Sequence, residues 1–319
     1  MRIVGPGALA GAAAEATPIN RAGAALGCRS RIAKEPTLPA PEKLALITGS
    51  SSGIGLLTAV TLARRGYRVV ATMRDLNRRS LLDDAAKNAG VTDRLDVRAL
   101  DISDFDAIPR VISEILRDHS RIDLLVNNAG FAYAGFAEDI RLAELRQQMD
   151  TNFFGHVAIT QAVLPAMRAQ RSGHVIMISS ETGRMGSPGI ASYSAAKFAL
   201  EGWSETLRLE TRALGIKVVL VEPGAFKTDI WDRNTRLNES LVSGNSPNQD
   251  RGRHLREWAV TIPKADPQRV ADLIARIAAD PDPRLRYMIG RDALTRWWLC
   301  NLLPWKWYER LVLRKVGLA

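Results

Sequence analysis

Cysteine is scarce: only Cys28 and Cys300 occur in 319 residues, near opposite ends, with no CxxC pair and no histidine at ligand spacing. That scarcity excludes a disulfide scaffold and a cysteine-built zinc site, and it points to a reducing compartment, the cytoplasm. Histidine is equally thin. His119, His156, His174 and His254 are scattered, so no metal site is expected. Long apolar runs are missing as well, since no stretch reaches the ~18 consecutive apolar residues of a membrane span. Aromatic residues amount to 6% of the chain, yet four of the seven tryptophans crowd between residues 296 and 319.

Acid is short at the two ends. The net charge is +10, of which residues 1–43 hold +3 and residues 284–319 hold +6, leaving the middle at +1. An enzyme acting on nucleic acid carries a basic face within its folded body, so no nucleic acid is expected as partner. Basic ends suit solvated tails or contacts with an anionic membrane surface.

Residues 1–42, rich in Ala, Gly, Pro and Arg, have too little apolar surface to offset the entropy of ordering and read as a disordered or targeting-like tail. From Leu44 the pattern changes to short β-branched runs at residues 44–48, 67–73, 95–101, 122–130, 174–180, 216–224 and 284–290. Helical stretches lie between them, among them residues 55–65, 143–171 and 267–279. Strands alternating with helices predict a parallel sheet flanked by helices on both faces, a single doubly wound α/β domain over residues 43–290. Residues 228–262 are polar and Gly/Asn-rich, and are expected to be irregular: a substrate loop or lid, or a surface insertion. Residues 291–319 form a Trp-rich basic tail that Pro304 divides into two short helices. It suits a membrane interface, a cover over the substrate cleft, or a subunit contact.

"LALITGSSSGIG" sets Gly49, Gly53 and Gly55 where the first strand turns into the first helix. Glycine admits the tight turn, and the helix N-terminus attracts a pyrophosphate, so the turn reads as a dinucleotide cradle. The spacing is GxxxGxG and not the GxGxxG of two-domain dehydrogenases. Further on, Tyr193 and Lys197 stand four apart on one helix face. A phenol near pKa ~10 needs a neighbouring positive charge to exchange a proton at neutral pH, which Lys197 is placed to supply.

Together with "NNAG" at residues 127–130, "TNFFG" holding Asn152, Ser180 thirteen residues before Tyr193, and "EPG" at residues 222–224, the chain resembles the short-chain dehydrogenase/reductase family over residues 44–290. The stretches "ATMRDL", "SYSAAKFALEG" and "VEPGAFKT" are most similar to its 17-beta-hydroxysteroid and retinol dehydrogenase branch. The resemblance implies a Rossmann-type domain and a nicotinamide-dependent oxidoreductase acting on an apolar alcohol or carbonyl compound, built as a homodimer or homotetramer. It implies that Tyr193 is the general acid/base and that Ser180, rather than Ser179, hydrogen-bonds the reacting oxygen. Lys197 would bind the nicotinamide ribose, and Asn152 would hold a water. For the cofactor it implies Thr48, Gly49, Ser51, Ser52, Gly53, Ile54, Gly55, Asp101, Ile102, Asn128, Ala129, Gly130, Pro223, Gly224, Phe226 and Thr228, besides Tyr193 and Lys197. Substrate contacts are expected from Ser180, Met185, Tyr193 and Trp231. At the end of the second strand the position of an NAD-selecting acid is Met73, and Arg74 follows, able to fork onto a 2′-phosphate. NADP(H) is therefore expected over NAD(H), with Asp75 as the contrary sign. The alternative function is a nucleotide-binding regulator without turnover. The complete set Asn152, Ser180, Tyr193 and Lys197 argues against it.

Overall fold

The computed structural model describes residues 42–228, 230 and 234–318. The predicted tail up to residue 41, and the predicted substrate residue Trp231, lie outside the described residues.

Among the described residues, seven parallel strands form one sheet: β1 (Leu44–Thr48), β2 (Arg68–Met73), β3 (Leu95–Ala99), β4 (Leu124–Asn127), β6 (Gly173–Ile178), β7 (Ile216–Pro223) and β9 (Arg286–Ile289), in the order β3-β2-β1-β4-β6-β7-β9. Two short strands, β5 (Ala132–Ala134) and β8 (Thr235–Leu237), pair apart from it. Alternate residues of β1 enter two different cores. Ala45 and Ile47 pack with α1 (Gly53–Arg64), α2 (Ser80–Ala89) and α9 (Gln268–Ala279), while Leu44 and Leu46 pack with α3 (Ala107–His119), α5 (Gly155–Gln170) and α6 (Ala191–Thr211). Strands buried on both faces must be apolar throughout, which explains the near-continuous Val/Ile/Leu runs. The order of strands reverses between β1 and β4, and such a switch point opens a crevice at the carboxyl ends of the strands.

Two stretches differ from the sequence expectation. The helix expected over residues 143–171 is broken into α4 (Leu142–Met149), a π turn (Asp150–Phe154) and α5. Side-chain periodicity cannot reveal the extra residue of a π turn, which matches either ladder locally. Residues 228–262, expected to be irregular, contain β8, the one-turn α7 (Glu239–Val242) and α8 (Gln249–Thr261). They are tied down by buried polar contacts: Asn238 Nδ2 donates to the Asp139 carbonyl (2.8 Å), Ser246 Oγ to Asp139 Oδ1 (2.8 Å), and Asn248 Nδ2 to Glu138 Oε1 (2.6 Å). The Asn and Ser content that signals a loop is here spent on holding one.

The chain ends in α10 (Arg291–Leu302) and α11 (Trp305–Lys315), with Pro304 at the start of the second, where its missing N–H costs nothing.

Candidate active site

The crevice is a groove of about 480 Å³ running across the ends of β1, β2, β4, β6 and β7. At its centre the turn after β1 carries Gly49 at φ +71° and Gly53 at φ +58°. A Cβ on Gly49 would sit 2.7 Å from Ala129 Cα, and one on Gly55 would strike the Gly49 carbonyl and the Asn128 amide. Only glycine brings the two backbones this close. Ser52, the N-cap of α1, makes no side-chain cap bond, and the first turn holds no acid. The opening N–H groups of α1 are thus left for an anion, as a phosphate-binding helix start requires. The residues present therefore fit a dinucleotide, with Gly49, Ser51, Ser52, Gly53 and Ile54 lining the groove at this point.

The "NNAG" stretch locks this turn to β4. Asn128 Nδ2 donates to the carbonyls of Thr48 (2.9 Å) and Gly49 (3.1 Å), while Thr48 Oγ1 accepts from the N–H groups of Asn128 and Ala129. Buried Asn127 donates to Thr160 Oγ1 (2.8 Å). Below them His156 Nε2 donates to the Ala129 carbonyl (2.8 Å). Burial, and then the Lys197 charge, hold its imidazole down to about 3, so it stays neutral. Thr48 and Gly55 thus shape the cradle from behind, outside the groove lining.

Ser180, Tyr193 and Lys197 line the same groove, together with Pro223, Gly224, Phe226 and Thr228 from the end of β7 onward. Ser180 stands two residues beyond β6 and caps the turn Glu181–Gly183, and its hydrogen bonding to the Tyr193 phenol draws that phenol down. Ser180 Oγ also accepts from the N–H and hydroxyl of Thr182 (3.2 and 3.0 Å). Lys197 Nζ donates to the Ile178 carbonyl (2.8 Å) and stands 5.6 Å from the Tyr193 ring centre. Tyr193 and Lys197 are both buried, at 4% and 3% exposure.

The electrostatics differ from the sequence expectation. Burial pushes the Tyr193 phenol up to about 12, against the lowering influence of the Ser180 hydrogen bond, and the Glu181 charge pushes the same way as burial. Burial also brings Lys197 down to about 8, partly opposed by Glu201 one turn on. The ammonium is engaged by a main-chain carbonyl and lies over the ring, so desolvation outweighs its help to the phenolate.

Asn152 sits in the π turn with its side chain held to the main chain of Phe131. Nδ2 donates to the Phe131 carbonyl (2.9 Å), and Oδ1 accepts from the Phe131 N–H (3.3 Å). Met185 is buried (3%) and lies outside the groove lining. Beyond the predicted residues, the groove is also lined by Arg78 at the cofactor end, and by Phe131, Gln147 and Arg236. Arg236 stacks over Phe131 (4.5 Å) and donates to Gln147 Oε1 (2.8 Å). Arg78 follows Arg74 by four residues, across the short turn Leu76–Arg78, a spacing visible in the sequence. Arg236 arrives through the β5–β8 pairing, for which three-residue strands leave no signal.

Behind the catalytic face lies a buried ionic cluster. Arg286 Nε stands 3.1 Å from Glu201 Oε2 and 3.4 Å from Glu222 Oε1, and Arg184 Nη1 stands 3.5 Å from Glu222. Burial, and then the Glu201 charge, push the Glu222 carboxyl up to about 7. The C-terminal helices brace the same region. Asp292 Oδ2 accepts from the Ala225 N–H (2.7 Å), and Arg296 reaches Glu181 Oε1 (3.2 Å) and the Gly186 carbonyl (2.5 Å).

A short chain dehydrogenase family model matches residues 43–238. The chain is 37% identical to an uncharacterized oxidoreductase of Bacillus subtilis, over 86% of this chain and 99% of that one. It is 37% identical to bovine retinol dehydrogenase 8, over 76% and 79% of the two chains. Among solved structures it is similar to a short-chain dehydrogenase from Streptomyces avermitilis, with a TM-score of 0.73 and 33% identity, over 86% of this chain and 98% of the other. A metagenomic short-chain oxidoreductase in complex with NADP matches with a TM-score of 0.61 and 28% identity, over 77% and 95%. A phosphate-fitted glycine turn at the switch point, opening onto a groove lined by serine, tyrosine and lysine, agrees with these likenesses: the chain belongs to the short-chain dehydrogenase/reductase family of oxidoreductases.

Proposed function

We propose that this protein is an NADP(H)-dependent oxidoreductase interconverting an alcohol and its ketone or aldehyde on an apolar, steroid-, retinoid- or lipid-like substrate, with Tyr193 as general acid/base. The observation that carries this reading is the convergence of Ser180, Tyr193 and Lys197 on the groove that begins at the Gly49–Gly53 turn. When bound, the nicotinamide supplies the hydride. The protein's own residues handle the proton. Tyr193, held up to about 12, is fully protonated at neutral pH and is set to donate from Oη to a carbonyl oxygen. Ser180 positions that oxygen through its hydroxyl. Lys197, at about 8, still carries its charge near neutrality and offsets the phenolate that donation leaves behind. Asn152, fixed to Phe131 by its side-chain amide, is the residue that would hold a water beside the site.

The cofactor preference turns on the residues that follow β2. Asp75 lines the groove there, its Oδ1 accepting from the Asn77 N–H (2.9 Å) to cap the turn Leu76–Arg78, and two guanidinium groups outnumber its carboxylate. Arg74 and Arg78 line the same end of the groove and offer two guanidinium groups to a 2′-phosphate. The similarity to an NADP-bound relative supports this preference, and the similarity to retinol dehydrogenase 8 supports an apolar substrate.

The test is loss of NADPH absorbance with a panel of apolar ketones and aldehydes. Tyr193→Phe is expected to lower turnover by about 10²–10⁴, with NADPH binding by fluorescence retained. NADPH binding by the wild type without turnover across a wide panel would overturn the catalytic reading.

A further inference from the structure

The outer faces of α10 and α11 carry large apolar side chains in water. On α10, Leu294, Trp298 and Leu302 form one stripe at four-residue spacing, 43%, 54% and 71% exposed. On α11, Trp307 (66% exposed) and Leu311 (42%) form a stripe at four-residue spacing, while Trp305 (65%) stands exposed at the helix start against the Tyr308 ring. Beside that stripe runs a second one of exposed cations at the same spacing, Lys306, Arg310 and Arg314, with Lys315 adjacent. Buried Ala293, Tyr308 and Val316 fasten the pair to the body. Residues 291–318 hold six Lys/Arg against two Asp/Glu, and one of those two, Asp292, is turned inward onto Ala225. Among the described residues no helix is long and apolar enough to cross a membrane.

We infer that α10 and α11 form a docking surface for an anionic lipid bilayer, lying in its interface without spanning it. Indole rings settle at headgroup depth, and neighbouring Lys and Arg meet anionic lipid. Charge decides against a second copy of this chain as occupant, because a two-fold contact through these helices would bring together two surfaces of the same net positive charge. The inner face of the same helix pair holds the loops after Ser180 and Gly224, through Arg296 and Asp292. A bilayer seated on the outer face therefore lies about one helix diameter, ~10 Å, from those loops. An apolar substrate dissolved in lipid would reach the groove with little passage through water.

The experiment is co-sedimentation of the full chain with phosphatidylcholine vesicles, with and without phosphatidylglycerol, and it needs no turnover. The wild type should pellet with the anionic vesicles and remain in solution with the neutral ones. Trp305→Ala/Trp307→Ala and Lys306→Gln/Arg310→Gln/Arg314→Gln should each lower the partition at least about tenfold, with NADPH binding unchanged. Raised salt should release the wild type, a readout that needs no variant. Equal partition into both vesicle types, no partition into either, or wild-type binding by both variants would overturn the inference. Concentration-dependent dimerisation lost in the tryptophan variant, without vesicle binding, would assign the face to a second copy instead.

Discussion

Arg74 and Asp75 stand side by side just after β2, and both line the groove. Arg74→Ala should raise the KM for NADPH by about ten- to a hundredfold, the worth of a charge-assisted hydrogen bond, and leave that for NADH nearly unchanged. Steady-state kinetics with both cofactors check it. Gly49→Ala meets two obstacles at once, a left-handed φ and Ala129 Cα at 2.7 Å. We expect it to cost about 2 kcal/mol or more, measured as a shift in the urea midpoint, and to weaken NADPH binding with it. At this scale the sequence was most readable where chemistry demands a residue type at fixed spacing, as with the glycine turn and Tyr193–Lys197. It could not show that burial would outweigh the ammonium at Tyr193, because desolvation depends on what packs around a group and not on its neighbours in the chain.

Among the elements, β9 depends on charge as well as on its ladder. Arg286 lies between Glu201 of α6 and Glu222 of β7, and removing it leaves two buried carboxylates without their shared partner, Arg184 remaining beside Glu222 and Lys197 one turn from Glu201. Arg286→Met should therefore destabilise the fold by about 3–5 kcal/mol. Adding Glu222→Gln should recover part of that loss, both read from denaturant unfolding near pH 8. The main strands were legible because sheet burial on both faces demands unbroken β-branched runs. The pairing of β5 with β8 was not, since three residues on each side, about a hundred apart in the chain, carry no period. The same holds for α8, whose polar composition concealed a helix secured by Asn and Ser side chains from outside its own length.

For the molecule as a whole, stability against acid should depend in large part on His156, with His174, also held down by burial, acting in the same direction. The unfolded imidazole gains a proton near 6.5, whereas the folded one resists until about 3. The unfolded state thus binds more protons in that window, so stability is complete above it and falls as pH drops through it. From His156 alone, unfolding near pH 5 should cost about 2 kcal/mol less than near pH 7. Replacing the residue by Gln, which keeps a donor for the Ala129 carbonyl, should flatten that slope in urea titrations at the two pH values.

The packing of α1 against α9 also bears on how the chain is made. Gln268 Nε2 bonds Thr61 Oγ1, and the Tyr67 hydroxyl bonds the Ala278 carbonyl, more than two hundred residues apart. During synthesis the first half of the sheet emerges long before its cover, leaving the apolar side of α1 open until α9 has left the ribosome. Release of a chain halted short of that point would present this bare face to chaperones, whatever the state of its glycine turn.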